Sequence, residues 1–270
     1  MDARGWFEIL FTIAVTVALA WPLGFYMARV WKGERTWLDP VLRPVEGVLY
    51  KSFGVDPKKS QNWFAYTVSM LIFSAASFVV LYLILRFQDL LPLNPQGFKG
   101  ASPDLAFNTA ISFVTNTNWQ SYVPEQVMST FSQMAGLTSH NFLSAAAGIA
   151  VAAALARAFA ANRAENLGDF WVDLTRISLY VLLPFSLILA IAFVALGEPQ
   201  TLVAHAIART VEGGKQTIAL FPTASQEAIK QFGTNGGGLF NTNSAHPFEN
   251  PNAITNFLEI VAMNVLGYAC

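Results

Sequence analysis

The sequence predicts an all-α, polytopic membrane protein built from repeated units of helix, short re-entrant helix, polar loop and helix. Three observations predict it. The 270 residues are 54% hydrophobic and only 12% charged, against roughly 25% charged residues in a typical soluble domain. Long runs without any charged side chain recur along the chain. Two short polar stretches, Thr115–Gln120 and Thr234–Gly238, interrupt those runs. Each follows a short helix-like segment and precedes a long apolar one.

The composition also excludes function classes. A net charge of −1 leaves no concentrated basic face for nucleic acid. Cys270 is the one cysteine, so an internal disulfide and a cysteine metal cluster are excluded. His140, His205 and His246 lie far apart in sequence and read as separate packing or surface residues.

Ile9 to Ala28 carries no charge, and its 20 residues make a helix about 30 Å long, enough to cross the hydrocarbon core. The run is too long for a signal peptide and lacks a small-residue cleavage site, so it is read as a retained first span. Pro22 falls late in it. Residues 29–60 hold seven basic residues, and Pro40, Pro44 and Pro57 are expected to break any long helix there. Asn62 to Leu85 is the second span, with Trp63, Tyr66 and Tyr82 near its ends, where amphipathic rings favour the interface.

Ser102-Pro103-Asp104 is a helix start: an N-cap, a proline suited to the first position, and an acid at the positive end. A helix from Pro103 to Val114 is about 18 Å long, too short to span and suited to re-entry. Residues 126–156 form a third span dense in Ala, Gly and Ser, which allows close helix packing in lipid. The connection 157–176 has three basic residues, Arg157, Arg163 and Arg176, and Ile177 to Gly197 is the fourth span, containing Pro184. Thr223-Ala224-Ser225-Gln226 fits a capping box for a second short helix, about Ala224 to Phe232, ended by Gly233. Ala253 begins a fifth apolar run that reaches Cys270.

Basic residues set the expected orientation. The connections 29–60 and 157–176 are denser in them than 86–126, with two, and 198–252, with three. The dense connections face the cytoplasm by this count, so the N-terminus and both polar loops lie outside.

Sliding the chain by 119 positions places Phe113 on Phe232, Thr115 on Thr234 and Asn116 on Asn235. The order of elements around both loops is the same, which is the mark of one unit used twice. Taken singly, Gly236-Gly237-Gly238 is a flexible turn and Thr115 to Asn118 an Asx turn. A phosphate loop is excluded because no Gly-Lys-Ser/Thr ending follows. The pairing of the loops points instead to an ion filter. Carbonyls can replace a cation's water, a re-entrant helix aims its negative end at the ion, and glycine permits backbone angles barred to other residues. The absence of carboxylates from both loops suits a weakly hydrated monovalent ion rather than calcium or magnesium. Glu125, Glu249 and Glu259 read as rim or packing residues rather than ion ligands, with Glu259 the best exception because it falls within a span.

Long strings then resemble one family. Phe107 through Tyr122, Phe131 through Thr138, Asn141 through Ala146, Ala224 through Lys230, Gly233 through Gly238 and Asn243 through Pro251 are similar to the potassium-transporting ATPase A subunit family, KdpA. That resemblance implies a channel-derived fold with four helix–pore helix–helix repeats, of which two are present here. The expected organisation is a first span and cytoplasmic connection over 1–60, a first repeat over 61–160, and a second over 161–270, truncated in its last helix. It implies potassium as substrate, with no organic cofactor and no catalysis by this chain. ATP is used by a B subunit, with C and F subunits as further partners, in a bacterial inner membrane. The implied ion-binding residues are Thr115, Asn116, Thr117, Asn118, Gln120, Thr234, Asn235, Gly236 and Gly237. With two loops of four, the chain is expected to be an N-terminal portion that needs the missing C-terminal half. The alternative is a self-sufficient potassium channel or secondary transporter of the same superfamily. A membrane enzyme is disfavoured, because the Asp-Lys-Thr-Gly-Thr phosphorylation string is absent and no nucleophile–base pair is legible.

Overall fold

The computed structural model describes residues 2–160, 166–203 and 205–270. Arg163, counted above among the basic residues, lies outside the described residues, as do Met1 and Ala161, where the first and third expected segments begin. Among the described residues the chain is mostly helical, and four helices are long and apolar enough to cross a membrane. They are α1 (Ala3–Lys32), α3 (Trp63–Arg86), α5 (Ser132–Ala160) and α6 (Phe170–Ala195). Between them lie α2 (Asp39–Phe53) and the short α4 (Pro103–Val114). After α6 come a β1–β2 hairpin (His205–Arg209 and Lys215–Ala219), the short α7 (Thr223–Phe232) and α8 (Ala253–Ala269).

The core is made where small residues let helices touch. Ala145, Ala146, Ala150 and Ala154 of α5 pack with Ala20 and Leu23 of α1, Phe170 and Val181 of α6, and Val265 of α8. The outward faces of α1, α3 and α6 stay apolar and exposed, as at Phe7, Ile72 and Ile188, which is what a helix facing lipid requires.

Three differences from expectation have physical causes. The basic connection 29–60 contains a 15-residue helix despite its prolines. Pro40 sits in the first turn, where no N–H is needed, and only Pro44 removes a backbone bond. Glu46 anchors this helix: it accepts from Tyr50 Oη at 2.7 Å, Arg176 Nε at 3.0 Å and Tyr180 Oη at 2.8 Å.

The fourth span begins at Phe170, seven residues before the charge-free run. Asp169 caps it by accepting from the N–H groups of Trp171 and Val172. Asp173 and Arg176 can then lie inside the helix because each is paired. Arg157 donates two bonds of 2.6 Å to Asp173, and Tyr66 Oη donates a third at 3.0 Å. Sequence spacing cannot show that a charge has a partner on another helix.

The capping box expected at residues 223–226 does not form. Pro222 occupies the N-cap position and no side chain caps the helix. Its free N–H groups are satisfied from the end of α6 instead: Ala224 N–H donates to the Pro199 carbonyl at 3.1 Å and Ser225 N–H to Gln200 Oε1 at 3.0 Å. The helix itself ends at Phe232 with Gly233 as its cap, as the sequence predicts.

Pro184 also leaves its mark within α6. The preceding residues, Ile177–Leu182, widen into a π-helical stretch, the usual response where a proline lacks its N–H. The carbonyl of Tyr180, four residues before the proline, accepts from Tyr26 Oη of α1 at 2.9 Å. The two basic-dense connections meet at one end of the bundle, where Leu167 N–H donates to the Gln61 carbonyl at 2.9 Å and Gln61 N–H to Gly168.

Candidate functional site

The two short helices end in the same manner. Thr115 N–H donates to Ile111, Asn116 N–H to Phe113 and Thr117 N–H to Ser112. After α7, Gly233 N–H donates to Ile229, Thr234 N–H to Gln231 and Asn235 N–H to Lys230. These bonds repeat at a spacing of 118, one less than the 119 at which the letters match. The Thr-Asn pair thus sits one residue further past its helix in the second loop. Backbone bonds register the repeat by geometry, whereas a few shared letters cannot fix it to one residue.

Both loops then alternate in hand. Asn116 and Asn118 have φ of 61° and 56°, and Thr234 and Gly236 have φ of 55° and 95°. Asparagine and glycine tolerate this left-handed region. A β-branched threonine does not, and such a residue costs on the order of 1–3 kcal/mol. Thr234 is therefore held there by its surroundings.

Side chains lock the loops to each other. Asn235 Nδ2 donates to Asn116 Oδ1, which also accepts from Ser144 Oγ at 2.8 Å. Gln120 and Gly238 exchange two bonds: Gln120 Nε2 donates to the Gly238 carbonyl at 2.9 Å, and Gly238 N–H donates to Gln120 Oε1 at 3.0 Å. Asn118 is buried and donates to Asn141 Oδ1 of α5 at 2.6 Å. The Thr115 and Thr117 hydroxyls lie 3.1 Å apart. Gly237 is required for close approach, because a Cβ there would come 2.8 Å from the Asn118 Cβ and 2.9 Å from Phe113 Cζ.

Of the residues the sequence singles out, Thr117, Asn118, Gln120 and Gly236 line one cleft of about 340 Å³, together with Trp119 and Asn241. Among the described residues, no charged side chain lines it. Thr115 and Thr234 are exposed on their loops, whereas Asn235 and Gly237 are buried beneath. Asn116 and Asn235 act as the fastening between the loops.

Sequence reasoning named Glu249 and Glu259 as rim or packing residues but missed the groups beside them, Lys230, Glu227 and Glu198. Lys230 of α7 is buried and ion-paired with Glu227, and its Nζ lies 3.4 Å from Glu249 Oε1. Glu249 also accepts from Leu239 N–H at 3.1 Å. Gln231 donates to Glu227 at 2.6 Å and Glu259 at 3.3 Å. Burial raises the Glu249 carboxyl while Lys230 pulls it down. Glu198, just past α6, is buried too, and that burial, with Glu227, Glu259 and Glu249 nearby, pushes its carboxyl up to about 9. The available signal was Glu227 and Lys230 three apart, hence neighbours, in a helix too short to span. Glu125 lies at the rim, accepting from Asn241 N–H at 3.0 Å.

Comparison with known proteins agrees with these strings. The family model described as KdpA, the potassium-transporting ATPase A subunit, matches residues 10–270. A protein from Beijerinckia indica subsp. indica is 71% identical over 270 residues, covering 100% of this chain and 48% of the relative. Others from Caulobacter vibrioides, 59% identical over 269 residues, and Brucella anthropi, 55% over 267, are each covered for 47% of their length. All three are called potassium-transporting ATPase potassium-binding subunits. The chain spans about half the length of these curated relatives. With its two re-entrant helices, its paired loops and a family match over nearly every residue, the chain belongs to the KdpA family of potassium-transporting ATPase A subunits.

Proposed function

We propose that this chain supplies two of the four loops of a potassium-selectivity filter in an ATP-driven uptake complex. The observation that carries this reading is the fastening of the loops across the repeat, by Asn116 to Asn235 and Gln120 to Gly238. It holds two stretches of alternately handed backbone at one uncharged cleft. Alternation of hand turns successive carbonyls toward one side, and carbonyls so arranged replace the water of a weakly hydrated cation. The ion ligands are drawn from the Thr115–Asn118 backbone and Gln120, and from Thr234, Asn235, Gly236 and Gly237. The C-terminal ends of α4 and α7 add their partial negative charge without a full carboxylate in the lining.

The remaining half of a full-length subunit provides the other loops. ATP hydrolysis resides in a B subunit, assisted by C and F subunits, and potassium selected outside passes toward B. Potassium is the substrate, and no organic cofactor is required. The protein is a multi-pass component of the bacterial inner membrane, with its N-terminus outside and its basic connections in the cytoplasm.

Gly236→Asp in the full-length subunit, assembled in its complex, tests this. An aspartate there stands in a left-handed position beside the cleft. Potassium is expected to bind more weakly and to be poorly distinguished from sodium in a competition assay. An unchanged potassium-over-sodium ratio overturns the reading.

A further inference from the structure

Gly238 is gripped from two sides. From the first repeat, Gln120 takes both its carbonyl and its N–H. From behind, a Cβ added at Gly238 would lie 2.6 Å from Glu249 Oε1, 3.0 Å from Asn243 Oδ1 and 3.1 Å from Lys230 Nζ. The next N–H, that of Leu239, donates to the same Glu249 oxygen. The Lys230, Glu227 and Glu249 side chains are 0%, 0% and 1% exposed. The backbone of the second loop thus rests against a buried ammonium–carboxylate group that joins its own re-entrant helix to the segment entering α8.

We infer that Lys230 and Glu249 are positioning residues that set the selectivity of the second loop through Gly238 and Leu239. The inference rests on the filter reading of that loop. Taking two charges out of water costs several kcal/mol, and well-packed apolar residues in their place are often at least as stable. Bulk stability therefore gives no reason for charges here. A fixed distance does. The pair holds Lys230 of α7 at a set separation from Glu249, and Glu249 holds the loop backbone by one hydrogen bond. A filter distinguishes ions differing by fractions of an ångström only if its carbonyls cannot relax onto the smaller one. An apolar filling packs as well but gives the Leu239 N–H no acceptor, so that the Gly238–Leu239 peptide is held from the Gln120 side alone.

The test uses the full-length subunit in its complex, with equilibrium binding of potassium, rubidium and sodium as the readout. Lys230→Met leaves buried carboxylates unpaired and is expected to lower the folded yield. The triple variant Lys230→Met, Glu227→Gln, Glu249→Gln removes the ammonium and both carboxylates paired with it, and keeps an acceptor for Leu239. It is expected to fold, yet to lose at least tenfold in potassium-over-sodium preference. Lys230→Arg keeps the charge and is expected to recover the parental ratio to within about threefold. A folded triple variant with the parental ratio overturns the positioning role, provided that Gly236→Asp has lost it. An arginine variant as unselective as the triple variant overturns it as well. If Gly236→Asp also keeps the parental ratio, the filter reading falls first and the positioning role with it.

Discussion

The two loops have matching hydrogen-bonded ends but unlike supports. Behind the first stand neutral amides and a hydroxyl: Asn141 holds Asn118, and Ser144 holds Asn116. Behind the second stands a buried cluster of one ammonium and several carboxylates. The first loop reaches its left-handed turns with two asparagines, whereas the second uses a threonine and a glycine. The difference teaches that a repeated backbone can be kept while its scaffolding diverges. On the proposed filter reading, what each loop must keep is the direction of its carbonyls, and amides or ions can both enforce it. The energetic consequences are not the same. A neutral hydrogen bond contributes roughly 0.5–1.5 kcal/mol net, while breaking one side of a buried ion pair costs about 3–5 kcal/mol.

The sharpest way to break this comparison is Lys230→Met, expected to destabilise the protein by about 3–5 kcal/mol, read as a fall in thermal midpoint in detergent micelles. An effect no larger than that of Ser144→Ala erases the contrast. Next comes Gly237→Ala, whose Cβ would collide with Asn118 and Phe113. Overpacking of this kind costs about 1–3 kcal/mol. Potassium affinity should drop further than for Gly236→Ala, whose Cβ meets open space and pays only for its positive φ.

A smaller effect separates the amide support from backbone hand. Asn118→Ala loses both the bond to Asn141 and the tolerance for φ of 56°, whereas Asn118→Gly loses the bond alone. The alanine variant should be the less stable by about 1–2 kcal/mol, measured by the same melting assay. Equal midpoints would show that the loop does not need its left-handed turn.

A separate test, by pH rather than by packing, concerns Glu198, at the edge of the charged support. Its carboxyl is raised to about 9 by burial, so the folded state favours the protonated form. Its contribution is present below the ordinary carboxylate range and fades as pH rises toward 9. Between about pH 5 and pH 9 the thermal midpoint of the parent should fall more than that of Glu198→Gln. Parallel curves would remove Glu198 from the cluster.

Much of this architecture is legible in the residues themselves. Charge-free runs locate the spans, and Ser102-Pro103-Asp104 locates the start of α4, which runs from Pro103 to Val114 as the sequence predicts. Ser102 occupies the N-cap but makes no side-chain capping bond. The loops stand out as polar interruptions, and Asn116, Asn118 and Gln120 are all at the cleft or its fastening. What escapes is whatever depends on partners distant in sequence. The start of α6 depends on Arg157 meeting Asp173. The burial of Lys230 depends on Glu249, 19 residues later and beyond the loop. The β1–β2 hairpin has no regular alternation of buried and exposed residues, so its letters offer little beyond the Gly213-Gly214 turn signal to mark it as a strand pair.

The clasp between Gln120 and Gly238 joins residues 118 positions apart. A chain made from its N-terminus at about 5–20 residues per second presents the first loop several seconds before its fastening exists. Through that interval Asn116 has Ser144, and Asn118 has Asn141, once α5 has entered the membrane. Gln120 Nε2 has the Tyr122 hydroxyl at 3.2 Å, but its Oε1 waits for the Gly238 N–H. The first loop is therefore assembled in two stages: its neutral support comes with α5, and its final shape waits on the arrival of the second loop. A defect in either loop is in this sense inherited by both.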